Sequence, residues 1–293
     1  MRIDELPKSA RIEDRRGIPG GRGGIGIGTV VVLALIGWAL GIDPRTLIGG
    51  AEMVLGGGEQ QQTSSPSTKP GSPPDTMGNF VSAILGSTET VWTDIFAQSG
   101  ETYTAPTLVM FSGATQSGCG SARSAMGPFY CPLDQKVYLD TSFFQDLEGR
   151  LGACQVGSKT CQFSQAYVIA HEIGHHVQNL LGVLPKVQQA QRAMDQTEAN
   201  ALQVRVELQA DCLAGVWANH GQAKWDFIEP GDVDSALQTA SAIGDDRLQR
   251  RSQGYVVPDA FTHGSSAQRT RWFTAGLKSG TVASCDTFRN EQL

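Results

Sequence analysis

The chain has 293 residues, enough for one good-sized domain with appendages and hardly for two enzymes. Hydrophobic residues make up 40% and charged residues 18%, the ordinary balance of a folded protein. The formal net charge of −6 argues against a nucleic-acid binder, which usually shows a basic face; the short patch Arg247-Leu248-Gln249-Arg250-Arg251 reads as a solvated helix end.

Residues 1–22 are Gly-rich and mix both charge signs, with Lys8, Arg11, Arg15, Arg16 and Arg22 set against Asp4, Glu5, Glu13 and Asp14. Residues 23–42 follow without a charge, GGIGIGTVVVLALIGWALGI, the length a helix needs to cross a hydrocarbon core of about 30 Å. Trp38 near the far end suits an interfacial aromatic. The run is too long for a signal-peptide core and has no clear small-residue cleavage site, so it predicts a single transmembrane helix. By the positive-inside rule, segment 1–22 is expected in the cytoplasm and the bulk of the chain outside it. Residues 43–76 read as a linker, because 56–76 are rich in Gly, Gln, Ser, Thr and Pro and cannot bury enough apolar surface to fold.

The folded domain is expected over 77–293. Phe80, Val81, Ile84, Leu85, Val91, Trp92, Ile95 and Phe96 recur at helical spacing and predict one or two amphipathic helices. Thr107–Phe111 is a short β-rich run, and Phe129–Cys131 and Lys136–Asp140 flank a plausible turn at 132–135. From Ser164 to about residue 250 the pattern is strongly helical. The expectation is an α+β domain, a small sheet followed by a helical bulk.

Six cysteines suit disulfides in an oxidising compartment, and the absence of any CxxC pair argues against a zinc ribbon. Cys119 with Cys131 and Cys154 with Cys161 are close in sequence and placed as loop-closing bridges. Cys212 lies in a helical pattern and reads either as a buried free thiol or as the partner of Cys285.

His171-Glu172-Ile173-Gly174-His175 sits inside an apolar-periodic helical run. Positions i and i+4 project from one face, so His171 and His175 can reach one zinc ion, and Glu172 can reach a water beside it as general base. Three of the five histidines fall within six residues here; His176 points about 100° away and reads as a structural hydrogen-bonder. A catalytic zinc needs a third protein ligand. Residue 181 is Leu181, which excludes the metzincin extension. Glu207 and Asp211 share a face of a downstream helix expected over 198–219. Glu207 is the expected third ligand, with Asp211 accepting the free N–H of a ligating histidine.

The HEIGHH block, with ELQADCLAG about thirty residues later, resembles the YpfJ-like family of bacterial neutral zinc metallopeptidases. Ser117–Gly120, Gly127–Pro132, Val137–Asp140, Ile243–Asp246, Phe261–Ser265 and Arg271–Phe273 also match that family's pattern. The resemblance implies a membrane-anchored, gluzincin-like (zincin) hydrolase with one zinc per chain and places His171, Glu172, His175 and Glu207 in their roles. The expected setting is a single-pass protein of the bacterial inner membrane, N-terminus inside, acting on a peptide or protein substrate. His263, followed by Gly264 in a loop, is the candidate oxyanion donor, with Tyr255 as the alternative. Two other readings remain at this point: a zinc hydrolase of a cell-wall amide, and a non-catalytic zinc-bound binding protein. Glu172 weighs against the second, because a structural zinc site has no use for a base.

Overall fold

The computed structural model describes residues 1–17, 69–71, 73–149, 161–289 and 293. The chain divides into a unit of Met1–Arg15 with Lys69–Leu293 and a second unit, Arg16–Thr68. The apolar run 23–42 and the linker as far as Thr68 lie outside the described residues. Among the described residues no helix is long and apolar enough to cross a membrane.

The sheet comprises β1 (Ile12–Asp14), β2 (Lys69–Pro70), β3 (Thr107–Phe111), β6 (Phe129–Cys131) and β7 (Lys136–Asp140), in the order β2-β1-β3-β7-β6. A separate hairpin pairs β4 (Ala114–Ser117) with β5 (Gly120–Arg123). Leu108 to Phe111 are all buried, the continuous apolar run of a strand covered on both faces. β3 pairs in parallel with β1 and β7, while β6 runs antiparallel to β7 at the sheet edge. The expected turn at 132–135 joins them, closed by Gln135 at φ 55°.

Helix α1 (Thr76–Gln98) is a single helix. Asp75 caps it by accepting from the Gly78 amide, and Phe80, Val81, Ile84, Leu85, Val91, Trp92 and Phe96 are buried at helical spacing. After α2 (Ser142–Gly149) come α3 (Cys161–Leu180), α4 (Val183–Gln191), α5 (Gln196–Trp225), α6 (Asp232–Ala242), α7 (Asp245–Gln253) and α8 (Ser266–Ser279). Capping boxes start α5 at Asp195/Glu198 and α8 at Ser265/Gln268. Helix α5 packs against both α3 and α8 around Phe163, Tyr167, Trp217, Phe227 and Phe273. The class is α+β and mainly helical, as expected.

Two features differ from expectation or resolve it. The folded unit does not begin near Met77, because residues 1–15 are built into it. Met1, Leu6 and Ile12 are buried in the core, and burying each such side chain stabilises by about 1.5–3 kcal/mol. The polar side chain of Glu13 is held by Arg15 at 2.7 Å and Lys136 at 2.5 Å. A three-residue strand reading Ile-Glu-Asp carries no periodicity, so these residues read from sequence as a loose charged segment. The second concerns cysteines. Cys119 bonds to Cys131, and Cys212 bonds to Cys285, so Cys212 is not a free thiol. Cys161 is disulfide-bonded, and residue 154 lies outside the described residues.

Candidate metal centre

Helix α3 carries His171 and His175 on one face, and α5 carries Glu207 and Asp211 on the face opposite. The close approach of the two helices depends on Gly174: a Cβ there would lie 2.9 Å from the Ala210 carbonyl oxygen and 3.1 Å from its Cα. The glycine between the two histidines therefore lets the acids of α5 reach the imidazoles of α3.

His171 Nε2 lies 3.2 Å from Glu207 Oε2, and His175 Nε2 lies 3.5 Å from the same oxygen. The three ligand atoms fall within 4.8 Å of one another. Ligands of a four-coordinate zinc at about 2.0–2.1 Å stand about 3.3 Å apart, so two imidazoles and one carboxylate converge here as a zinc ion needs.

The outer partners fix both tautomers. Nδ1 of His171 donates to Asp211 at 2.8 Å and Nδ1 of His175 donates to the Gln178 side-chain oxygen at 2.9 Å, leaving each Nε2 lone pair for a metal. Gln178 is itself held by the Val206 carbonyl and Gln209 of α5. Glu207 Oε1 accepts from Gln203 at 2.9 Å, which leaves Oε2 facing the histidines. Asp211, fully buried, also accepts the Tyr167 hydroxyl and a two-pronged contact from Arg269 of α8, Nε at 2.8 Å and Nη2 at 2.9 Å.

The electrostatics describe a cation site. Burial opposes a charged imidazole, yet Asp211 and Glu207 outweigh it and push His171 up to about 10. Burial likewise opposes the carboxylates, but His175 and His171 hold Glu207 well below the usual range. Arg269 and His171 hold Asp211 at about 2 against the same burial. Two buried carboxylates thus draw positive charge into the site, protons on the imidazoles or a metal ion in their place.

Glu172 is 7% exposed and lines a cleft with two arms, one bordered by all three ligands and the other by His171 alone among them. One arm, about 310 Å³, runs between the edge strand at Phe129 and Tyr130 and the polar side chains Gln188, Gln191 and Gln203. The other, about 500 Å³, is walled by Met126, Phe143, Val168, Ile243 and Leu248. His263 lies on the rim of both arms, half exposed. Its backbone amide donates to Asp245, and its Nδ1 lies 3.3 Å from the same carboxylate, whose hydrogen bond raises the imidazole above its ordinary range despite burial. Tyr255 is exposed and is not among the residues lining either arm. His176 points away from the ligands, donating through Nε2 to the Thr104 carbonyl at 2.7 Å and accepting the Tyr130 hydroxyl at 3.0 Å. It ties α3 to the edge strand.

Sequence reasoning missed Tyr167, Gln178, Gln203 and Arg269. Gln178 and Gln203 stand three and four residues from a ligand on the ligand's own helix, a spacing that could have marked them. Arg269 arrives from a third helix and leaves no local signal.

With this geometry in view, comparison with known proteins is decisive at the family level. The family described as "Putative neutral zinc metallopeptidase" matches residues 1–288. The chain belongs to that family. It is similar to the uncharacterized protein YpfJ of Escherichia coli K12, 45% identical over 301 residues, covering 98% of this chain and 99% of the relative. It is also similar to the uncharacterized protein Rv2575 of Mycobacterium tuberculosis, 44% identical over 217 residues, 71% of this chain and 69% of the relative. No solved structure matches it.

Proposed function

We propose that the protein is a zincin-type peptidase that hydrolyses peptide bonds, with one zinc held by His171, His175 and Glu207 and with Glu172 as general base. The observation that supports this most is the convergence of three ligand atoms within 4.8 Å beside a buried glutamate that faces an open cleft. When bound, the metal supplies Lewis acidity and acidifies a water. Glu172 takes the proton of the attacking water and passes it to the leaving amine. His263, whose protonated form the Asp245 carboxylate favours, donates to the oxygen on which negative charge develops. Asp211 and Gln178 hold the two imidazoles in the required tautomers.

The position of β6 at the edge of the sheet among the described residues supports an extended peptide as substrate, since Phe129 and Tyr130 of that strand line the cleft and an edge strand can accept one more. Two adjoining cavities that share Glu172 in their walls favour cleavage within a chain. The run 23–42 supports attachment to a membrane, and the disulfides support an oxidising compartment. The test is turnover of an unstructured protein such as casein by the parent and by Glu172→Gln. We expect the variant to keep its zinc and lose turnover by about 10²–10⁴-fold, the usual contribution of a positioned general base. Full activity in the variant would refute the assignment of the base, and cleavage of cell-wall amides with no action on peptides would favour the other hydrolase.

A further inference from the structure

Residues 1–15 and the catalytic unit are joined by the sheet itself. β1 pairs in parallel with β3, with Ile12 opposite Leu108 and Asp14 opposite Met110. β1 also pairs antiparallel with β2, with Glu13 opposite Pro70 and Asp14 opposite Lys69. The segment ahead of β1 is packed as tightly. Ser9 exchanges hydrogen bonds with Ser82 of α1, its amide donating to the Ser82 carbonyl at 3.0 Å and its carbonyl accepting the Ser82 hydroxyl at 2.9 Å. Gly86 of α1 admits the crossing chain: a Cβ there would lie 2.2 Å from the Pro7 carbonyl oxygen. The family match begins at residue 1, within this same segment.

The chain therefore leaves the fold after β1 and re-enters it at β2, on neighbouring strands. A chain that leaves and returns to one face of a bilayer crosses it an even number of times. Between the two strands the sequence offers one uncharged run of spanning length, 23–42; the following stretch is broken by Asp43, Arg45 and Glu52 before the polar residues 59–68. One crossing does not satisfy the parity, and a second has no segment to make it.

We infer that residues 1–15 lie on the same side of the membrane as the catalytic unit, so that the run 23–42 meets the lipid from that side and does not carry the chain across. This rests on the reading that the run attaches the protein to lipid. It replaces the expected single-pass arrangement, in which residues 1–22 and the catalytic domain face opposite compartments.

The experiment places one new thiol at a time in the full chain, Glu5→Cys in the N-terminal segment or Gln253→Cys at the end of α7, both at exposed positions. No described cysteine is free, and the parent protein serves as the blank. Thermal melts matching the parent confirm that each variant is folded. Sealed membrane vesicles of known orientation are treated with a membrane-impermeant maleimide. The inference predicts that both thiols react in one orientation and both are protected in the other. Labelling of Glu5→Cys and Gln253→Cys from opposite faces would overturn it. Recovery of the protein in the soluble fraction would remove the attachment to lipid, while showing that the run does not cross.

Discussion

Arg269→Met removes the cation that holds the buried Asp211 carboxylate, and its consequences separate fold from metal binding. Asp211 is fully buried and Arg269 is 3% exposed, with two hydrogen bonds of 2.8 and 2.9 Å between them. Removing one partner of such a pair costs about 3–5 kcal/mol, because the other charge stays buried without compensation. For a unit of this size each kcal/mol lowers the melting temperature by about 2–4 °C, so the metal-free variant should melt about 6–20 °C below the parent. Zinc affinity should fall about 10–100-fold, the usual loss when the outer partner of a ligating histidine is disturbed. The double variant Arg269→Met/Asp211→Leu removes both charges together. It should recover most of the melting temperature and none of the zinc affinity, since His171 still lacks its acceptor. Melting in chelator and zinc titration against a competing chelator read the two effects separately. A single variant that melts within about 2 °C of the parent with unchanged affinity would refute the reasoning, as would a double variant that regains its affinity.

Three further outcomes follow from the same geometry. Gly174→Ala should force α3 and α5 apart at Ala210, costing about 1–3 kcal/mol by overpacking and weakening zinc binding, which calorimetry on metal-free and zinc-loaded protein would read. The protonated His263 is stabilised by Asp245, so kcat/KM should fall as pH rises through a value above the ordinary histidine range. In Asp245→Asn that alkaline limb should move to lower pH, and an unmoved limb would remove His263 from the reaction. The apolar arm walled by Met126, Phe143, Val168, Ile243 and Leu248 should favour peptides with a bulky apolar residue beside the cleaved bond. Leu248→Trp should then lower kcat/KM for such peptides about tenfold relative to alanine peptides, within the range set by one to three kcal/mol in an apolar pocket.

The candidate site was largely legible in the sequence because its main residues are local pairs. His171 with His175 and Glu207 with Asp211 each share a helix face by four-residue spacing, and the structure brings the two faces together. The burial of Glu207 and Asp211 was foreseeable from the apolar neighbours Leu208, Leu213, Val216 and Trp217. What escaped depends on chain segments far apart. Arg269 meets Asp211 across 58 positions; Cys285 meets Cys212 across 73, a pairing the sequence left open beside a free thiol. β1 was missed for a different reason. Its three residues include two acids, of which Glu13 is held by Lys136 and Arg15, and Ile12 alone among them is apolar and buried, too little to show a pattern. The helix bounds were read short at both ends of α5, which runs Gln196–Trp225, because its termini are polar and their caps lie outside the periodic stretch.

Metal content of the purified full chain, beside that of Glu207→Ala, tests the central claim most directly. One zinc per chain in the parent and a large loss in the variant is the predicted result. A parent that holds no zinc, or a variant that keeps it undiminished, would contradict the account.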